Sequence, residues 1–192
     1  MLPLLSLIRS ISKNETASLC LTTPESISRN VRAPKVVLAF TGEGGASEGD
    51  FHEALNVASV WNLPVLFCIE NNGYGLSTPT SEQYNCESLA DRGIGYGMES
   101  HVIEGNNVLE VFSKVDVIAK SVRQNPRPVL IEFKTFRMRG HEEASGTKYV
   151  PQELLDAWSK KDPVVNFRTY LMNLGVLDEI SDKNFKESGF GV

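Results

Sequence analysis

Short apolar runs alternate with segments of helical periodicity along most of this chain. Four runs rich in β-branched and large apolar residues predict buried strands, at residues 35–40, 64–70, 100–104 and 128–135. Between them, apolar residues recur at every third or fourth position, which predicts helices that pack by one face. This alternation predicts an α/β domain with three layers, a mostly parallel sheet flanked by helices on both faces.

The helices are predicted from caps and apolar spacing. Ser47 is the expected N-cap of the first helix, with Asp50 three residues on in a loose capping box and apolar residues at helical spacing up to Trp61. The remaining helices are predicted at residues 108–122, 151–158 and 164–174. Residues 71–97 are predicted to form a glycine-rich loop.

The chain divides into two parts of different character. Residues 10–34 are rich in Ser, Thr, Asn and Pro and show little periodicity, which predicts loop or disorder. Residues 1–13 are apolar, Ser-rich and free of acids, so they fit either a targeting peptide or a loosely packed extension, and the second is favoured. We expect residues 1–34 to be a divergent extension and residues 35–192 to be the α/β domain with its C-terminal helices.

Charge and composition narrow the function only by exclusion. A net charge of −5 and a pI near 5.3 give no indication of nucleic-acid binding. No apolar run approaches the roughly 18 residues that a membrane span needs. The three cysteines, Cys20, Cys68 and Cys86, are far apart in the sequence and form neither a metal signature nor a disulfide framework, which suits a reducing compartment.

Three of the predicted strands end in polar segments. The first ends at TGEGGAS, the second at NNGYG and the fourth at FRMRGH. If the sheet is parallel, all three segments lie at its carboxyl edge, where open α/β sheets bind their ligands. The convergence does not depend on any single motif.

The polar segments carry groups that suit a metal and a diphosphate. Glu43 lies between Gly42 and Gly44 and is followed, after a 26-residue gap, by Asn71 and Asn72. Mg²⁺ prefers oxygen ligands and binds few carboxylates, and glycines let the backbone approach phosphates. Each motif alone is more typical of a turn, and Arg137, Arg139 and His141 alone would fit a solvated loop. Together at one sheet edge they favour a binding site.

Residues 36–177, about three quarters of the chain, resemble the alpha subunit of the thiamine-diphosphate-dependent decarboxylating component of 2-oxo acid dehydrogenase complexes. The most specific part is GEGGASEGDFHEALNVASVWNLPVLFCIENNGYGLSTPTSEQY. The glutamate within the glycine motif and the STPTSEQY run resemble the branched-chain type more than the pyruvate type. The resemblance implies the thiamine-diphosphate-binding fold.

The resemblance also implies site residues. Magnesium would be held by side-chain oxygens of Glu43 and Asn72 and by the backbone carbonyl of Tyr74. The backbone amides of Gly44 and Gly45 would face the diphosphate, and His141 would contact it close to the reacting centre, as the catalytic residue of this chain. The cofactor-binding set implied in this way is Gly42, Glu43, Gly44, Gly45, Asn72, Tyr74, Gly75, Leu76 and His141.

The implied activity is oxidative decarboxylation of a 2-oxo acid, branched-chain in type, with acyl transfer to the lipoyl domain of an acyltransferase. The implied partner is a beta subunit in an α2β2 assembly, in the bacterial cytoplasm or alternatively the mitochondrial matrix, with no nucleic acid and no membrane. A pyruvate- or acetoin-type alpha subunit is one alternative. A truncated, non-catalytic binding or assembly module is another.

Departures from the family pattern limit what this chain does alone. The family's alpha subunit has an upstream half that residues 1–34 do not resemble, and the carboxylate that activates the cofactor's aminopyrimidine ring comes from the beta subunit. We therefore expect a truncated chain that is inactive in isolation. Arg139 replaces a histidine common in the pyruvate type. Glu142 replaces a regulatory phosphoserine, which predicts that no kinase controls this loop.

Overall fold

The computed structural model describes residues 35–142, 144 and 146–187. The extension predicted at residues 1–34 lies outside the described residues, as do Glu143, Ser145 and residues 188–192. The boundary predicted between residues 34 and 35 therefore stays a prediction. The described part contains the whole sheet edge at which the polar segments are expected to meet.

Four parallel strands form the central sheet. They are β1 (Val37–Gly42), β2 (Val65–Asn71), β5 (Glu99–Glu104) and β6 (Val129–Lys134). Their order across the sheet is β1-β2-β6-β5, and every adjacent pair is parallel. Between β2 and β5, a short antiparallel hairpin of β3 (Tyr74–Gly75) and β4 (Thr78–Pro79) forms a separate two-stranded sheet.

Helices and short helical turns connect and follow the strands. The α-helices are α1 (Gly49–Val60), α2 (Arg92–Gly95), α3 (Val108–Gln124), α4 (Gln152–Ser159), α5 (Pro163–Asn173) and α6 (Glu179–Glu187). The 3-10 turns are Gly45–Ser47, Thr80–Glu82 and Leu89–Asp91.

Helices cover both faces of the sheet. On one face, the apolar stripe of α1, which includes Leu55, packs with alternate residues of β2 such as Phe67. On the other face, α3 buries Ile118 and Val122 against the intervening β2 residues, which include Leu66. Each fully buried side chain of this kind contributes about 1.5–3 kcal/mol. The three-layer α/β architecture predicted from the sequence is confirmed.

The predicted N-cap of α1 is wrong. Ser47 lies in the 3-10 turn Gly45–Ser47, and the helix begins two residues later, at Gly49, with Glu48 as the N-cap. Glu48 makes no side-chain capping bond. The glycine-rich segment forms one 3-10 turn before α1 starts. A sequence pattern of cap residues does not distinguish this 3-10 turn from the first turn of an α-helix.

The β3–β4 hairpin, α2 and α6 were also not predicted. The segment predicted as a loop at residues 71–97 contains the β3–β4 hairpin and α2. Helix α6 escaped prediction because it is mostly polar, and its apolar residues Ile180 and Phe185 are exposed. Helical periodicity is visible only where a helix buries an apolar stripe.

The longest described helix, α3, is amphipathic. The Asn107 side chain caps it by accepting from the Glu110 amide at 3.2 Å. Its solvent face carries i,i+4 ion pairs, of which Glu110 with Lys114, at 2.6 Å, is one. No helix in the described part of the chain is both long enough and apolar enough to cross a membrane.

Helix α6 is joined to α5 by one buried carboxylate. Asp182 accepts two bonds from the Arg168 guanidinium, at 2.7 and 2.8 Å, and one from Lys186 at 2.8 Å. The hydrogen bonds from Arg168, followed by the one from Lys186, hold the pKa of Asp182 well below its ordinary value. A carboxyl whose pKa is lowered by folding stabilises the fold above its unfolded pKa, and this contribution is lost as the pH falls.

We expect Asp182→Asn to lower the melting temperature at pH 7. The difference from the parent protein should shrink as the pH falls below about 4, the ordinary pKa of an aspartate, because the parent then loses the same contribution. Thermal unfolding at pH 7, 5 and 3 measures this. Asp116→Asn, which removes an exposed ion pair on α3, is the control and should have little effect. An Asp182→Asn difference that is the same at pH 7 and pH 3 would contradict the assignment.

Candidate functional site

The loops that follow β1, β2 and β6 meet at the carboxyl edge of the sheet. The register places Gly42 beside Glu70 and Asn71 beside Lys134, so these three strands end at nearly the same level. The Thr135 amide donates to the Asn71 carbonyl at 2.9 Å, which extends the ladder one step beyond the strands. The sheet therefore brings together the segments that sequence analysis singled out.

Glu43 is the buried carboxylate of this edge. It follows Gly42, the last residue of β1, and its side chain is only 2% exposed. Oε2 accepts a hydrogen bond from the backbone amide of Asn72 at 2.9 Å. Oε1 accepts none from the described residues. Because a buried carboxylate is normally paired or bound to a metal, the second oxygen is available for a cation.

The turn after β2 gives its two asparagines different roles. Asn71 Oδ1 accepts from the Gly73 amide at 3.1 Å, and Asn72 Oδ1 accepts from the Tyr74 amide at 3.3 Å. Gly73 has a φ of +89°, which suits glycine. Asn71 also donates inward to buried groups, whereas the Asn72 side chain has no other partner among the described residues.

The glycine turn lies close to the hairpin. A Cβ added to Gly44 would lie 3.5 Å from the Cα of Gly75, so one added methyl group would fill the space between the two backbones. Gly45 is also enclosed, because an added Cβ would lie 2.5 Å from the Thr41 hydroxyl oxygen. The two motifs that are 26 residues apart in the sequence form one continuous surface.

The loop after β6 is fastened to the same hairpin by Arg137. Its guanidinium donates to the carbonyl of Leu76 and, at 3.0 Å, to the hydroxyl of Tyr149. It also donates to Nδ1 of His141 at 3.3 Å. A neutral histidine that accepts at Nδ1 carries its proton on Nε2, which leaves that nitrogen as a donor on an exposed side chain.

Leu76 has an unusual backbone for its residue type. Its φ is +57°, in the left-handed region that a branched apolar residue rarely adopts, and 61% of the residue is exposed. The bond from Arg137 to its carbonyl fixes this conformation. Strained backbone of this kind is concentrated at functional sites.

Aromatic rings support the hairpin from behind. The Tyr74 ring contacts Tyr149 edge-on at 5.5 Å and Phe136 at 6.4 Å, and Phe136 stacks on Trp158 of α4 at 5.5 Å. Tyr74, Phe136 and Trp158 border a pocket of about 510 Å³ whose wall includes Asn72. Helix α4 therefore supports the hairpin through Phe136.

The nine predicted cofactor residues thus fall at one edge, joined by a continuous series of contacts. The outermost is His141, which reaches the others through Arg137 and Leu76. Arg139 and Glu142 are exposed in the same loop. In the part of the chain that the structure describes, no group of three or more His, Cys, Asp or Glu could hold a metal. A magnesium site here would rest on one carboxylate and neutral oxygens.

Sequence analysis missed a buried polar network behind the turn. Glu132 of β6 is fully buried and accepts from Asn71 Nδ2 at 2.6 Å and from the Ser88 hydroxyl. Asn71 Nδ2 also donates to the Tyr84 hydroxyl at 2.8 Å. Burial raises the pKa of Tyr84 despite that bond, so the phenol stays protonated near neutral pH. The one available signal was a glutamate inside an otherwise apolar strand.

A second missed residue, Arg92 at the start of α2, connects this network to the glycine turn. Its guanidinium donates to the carbonyl of Ala46 in the 3-10 turn and lies 5.7 Å from the centre of the Tyr84 ring. The bond spans 46 residues in sequence, and no local pattern points to it. Arg92 therefore braces the turn that carries Glu43.

This fold and edge define a class of protein, the three-layer α/β proteins that bind ligands at the carboxyl edge of a parallel sheet. The sequence identifies the family within that class. Residues 26–189 match the model of the dehydrogenase E1 component family. The chain belongs to that family.

Two of its relatives are named as alpha subunits of 2-oxo acid dehydrogenases. It is 41% identical over 142 residues to the 3-methyl-2-oxobutanoate dehydrogenase subunit alpha of Mycobacterium tuberculosis H37Rv, covering 73% of this chain and 39% of the relative. It is 38% identical over 157 residues to the 2-oxoisovalerate dehydrogenase subunit alpha of Bacillus subtilis, covering 80% of this chain and 48% of the relative. These names confirm the resemblance to the branched-chain type.

A third relative has another substrate in its name. The alpha subunit of acetoin:2,6-dichlorophenolindophenol oxidoreductase from Bacillus subtilis is 37% identical over 148 residues, covering 77% of this chain and 44% of the relative. The chain therefore spans less than half the length of each of these three relatives. Identity of this level to both kinds of enzyme does not separate their substrates.

We expect Arg137→Met to destabilise the site edge. The substitution removes the guanidinium bonds to the Leu76 carbonyl and the Tyr149 hydroxyl, and bonds from a charged donor are worth about 1.5–3 kcal/mol each. Because Arg137 is only half-buried, we expect a total loss of about 1–3 kcal/mol in the free energy of unfolding. Urea unfolding measures it. Arg123→Met on the exposed face of α3 is the control, and equal losses in both variants would contradict the role of Arg137.

Proposed function

We propose that this chain is the cofactor-binding part of the alpha subunit of a 2-oxo acid dehydrogenase that acts on a branched-chain 2-oxo acid. The observation that carries the proposal is the geometry of Glu43. One oxygen of this buried carboxylate accepts a hydrogen bond from the Asn72 amide. The other accepts none from the described residues and lies at the edge where both glycine segments meet. The family and the names of the relatives support it.

The donors at this edge fit magnesium. Mg²⁺ takes oxygen ligands, commonly one or two carboxylates, and shares phosphate oxygens with its substrate or cofactor. Glu43 Oε1, Asn72 Oδ1 and the Tyr74 carbonyl would supply one charged and two neutral oxygens. The amide that Glu43 accepts from belongs to Asn72 itself, so one bond fixes two of the three proposed ligands relative to each other.

The glycine turn would hold the diphosphate of the cofactor. Gly44 and Gly45 have no side chain between their amides and a ligand, and the carbonyls of both already accept bonds from Ser47 and Glu48, at 3.1 and 3.2 Å. Gly42 and Gly75 complete the surface. On the other side of the edge, Arg137 and the Nε2 donor of His141 would supply positive charge and a hydrogen bond.

Thiamine diphosphate, when bound, supplies the electron sink for decarboxylation of the 2-oxo acid. The contribution of this chain would be positioning and electrostatics. Leu76, held with its side chain exposed, would pack beside the cofactor, and His141 would donate a hydrogen bond from Nε2 at the reacting centre.

The remaining parts of the proposed enzyme come from other chains. A beta subunit would supply the carboxylate that activates the cofactor ring, in an α2β2 assembly, and a lipoyl domain would accept the acyl group. The bacterial cytoplasm, or alternatively the mitochondrial matrix, is the proposed location. Glu142, an exposed carboxylate in the loop of His141, cannot be phosphorylated, so kinase control through that position is not proposed.

We expect the chain to bind thiamine diphosphate only when Mg²⁺ is present. Glu43→Ala should weaken this binding by more than about 100-fold, because it removes a metal ligand and not only an outer hydrogen bond. Calorimetric titration of the cofactor with and without Mg²⁺ measures it, and Glu53→Ala on the exposed side of α1 is the control. Unchanged binding in Glu43→Ala would refute the metal site.

Absence of binding in the parent chain has two explanations, which a second titration separates. Binding that appears once a beta subunit is added means that the partner completes the site. No binding even then, with a stable alpha–beta complex formed, supports the alternative of a non-catalytic assembly module.

We expect the chain with a beta subunit to decarboxylate 3-methyl-2-oxobutanoate at least about 10-fold more efficiently than pyruvate, the usual worth of added methyl groups in an apolar pocket. The isolated chain should show no turnover. The substrate preference is measured by carbon dioxide release from each 2-oxo acid. Acetoin oxidation is followed in a separate, third assay. A preference for pyruvate or acetoin would assign one of the alternative substrates, and turnover by the isolated chain would contradict the need for a partner.

A further inference from the structure

Glu132 is a buried charge that the proposed chemistry does not use. It lies in the middle of β6, is fully buried, and faces the same side of the sheet as Leu130. Ionised side chains are almost never placed in such positions without a partner, since their desolvation costs several kcal/mol. Among the described residues it forms no ion pair. Its partners are all neutral donors.

Both of its oxygens are occupied. Oε1 accepts from Asn71 Nδ2 at 2.6 Å, while Oε2 accepts from the Ser88 hydroxyl and, at 3.4 Å, from the Ala90 amide. The carboxylate therefore joins β6, the end of β2 and the 3-10 turn Leu89–Asp91. A group with this many donors around it is specified by the site and is not an accident of packing.

A carboxylate suits this position because it accepts hydrogen bonds and donates none. The Asn71 side chain can rotate by 180°, which exchanges its oxygen and its nitrogen. If residue 132 were a neutral amide, it could pair with Asn71 in either orientation. A carboxylate pairs only with the NH2 face of Asn71. The Tyr84 oxygen accepts the second proton of Nδ2 at 2.8 Å, but its hydroxyl could pair with either face, so the choice rests on Glu132.

The orientation of Asn71 then determines the turn. With Nδ2 directed at Glu132, Oδ1 is left to accept from the Gly73 amide at 3.1 Å. This bond closes the turn that contains Asn72, whose own amide bonds to Glu43. If Asn71 were reversed, its NH2 group would face the Gly73 amide, and two donors would oppose each other.

We propose that Glu132 is a positioning residue for the metal and diphosphate site, acting through Asn71 on the turn that carries Asn72 and Tyr74. The effect of Glu132 on magnesium affinity rests on the proposed function, whereas its effect on the Asn71 turn does not. The two effects are measured separately.

The structural step is tested by hydrogen exchange of the Gly73 amide, followed by NMR on the full chain without cofactor. We expect Glu132→Gln to speed this exchange about 5- to 10-fold, as for the loss of one neutral hydrogen bond, because the glutamine can accept from Asn71 Nδ2 or donate to Asn71 Oδ1 and so pairs with either orientation. Asp182→Asn, which alters another buried carboxylate far along the chain, is the matched control and should leave Gly73 exchange unchanged.

The functional step is tested by titrating Mg²⁺ in the presence of thiamine diphosphate. We expect Glu132→Gln to weaken the apparent Mg²⁺ affinity about 10- to 100-fold, the usual effect of losing a group that orients a metal ligand. Asp182→Asn should bind Mg²⁺ like the parent. Parent-like Gly73 exchange and parent-like Mg²⁺ affinity in Glu132→Gln would overturn the proposal.

Moving the carboxylate from position 132 to position 71 distinguishes a positioning role of Glu132 from a general contribution to stability. In the double variant Asn71→Asp with Glu132→Gln, the glutamine donates to the aspartate, which can accept from both Gly73 and Tyr84. We expect Gly73 exchange and Mg²⁺ affinity to return to within about threefold of the parent, although each single variant is impaired. If Glu132→Gln does not fold, the double variant decides, and a double variant that is unfolded or still impaired contradicts the proposal.

Failure of the proposed function gives a different pattern. If the parent chain binds no Mg²⁺ and thiamine diphosphate even with a beta subunit, the metal site is absent. Faster Gly73 exchange in Glu132→Gln, with recovery in the double variant, would still show that Glu132 sets the turn. Unchanged exchange would remove the inference independently of any cofactor.

Discussion

The hydrogen bond from the Asn72 amide to the Glu43 carboxylate is the interaction on which the candidate site depends. It joins residues 29 positions apart, and it forms only because β1 and β2 are parallel and end side by side. An antiparallel pairing would carry the two loops to opposite edges of the sheet. The chemistry of the edge is therefore a consequence of strand direction, and strand direction follows from the helical crossover that α1 provides.

The two buried glutamates near this edge differ in how many hydrogen bonds their oxygens accept. Glu132 has every oxygen engaged by neutral donors and is closed to further ligands. Glu43 has one oxygen engaged and one available among the described residues. The same residue type is thus a candidate support in one position and a candidate binding group in the other, and the two differ in the number of donors around them, not in their burial.

The sequence predicted the sheet well because its strands are short apolar runs bounded by glycine, proline and polar residues. It predicted the meeting of Glu43 with Asn72 because both follow such strands. It did not predict the start of α1, since a 3-10 coil intervenes at Ser47, and it did not predict α6, which buries almost nothing apolar. The roles of Arg92 and Glu132 were missed for another reason. Their hydrogen-bond partners Ala46 and Ser88 lie more than 40 residues away, and such contacts exist only after the sheet has formed.

Burial is uneven across the candidate site, because some of its residues are closed to solvent and others are exposed. Glu43 is closed to solvent, whereas Leu76 and His141 at the same edge are exposed. Electrostatic interactions with a cofactor are strong only where water is excluded. A carboxylate already shielded on one side, beside an open apolar and cationic surface on the other, is the arrangement expected of half a site. In the proposed enzyme, a beta subunit that closes over this edge would cover the exposed side chain of Leu76 and exclude water from the cofactor.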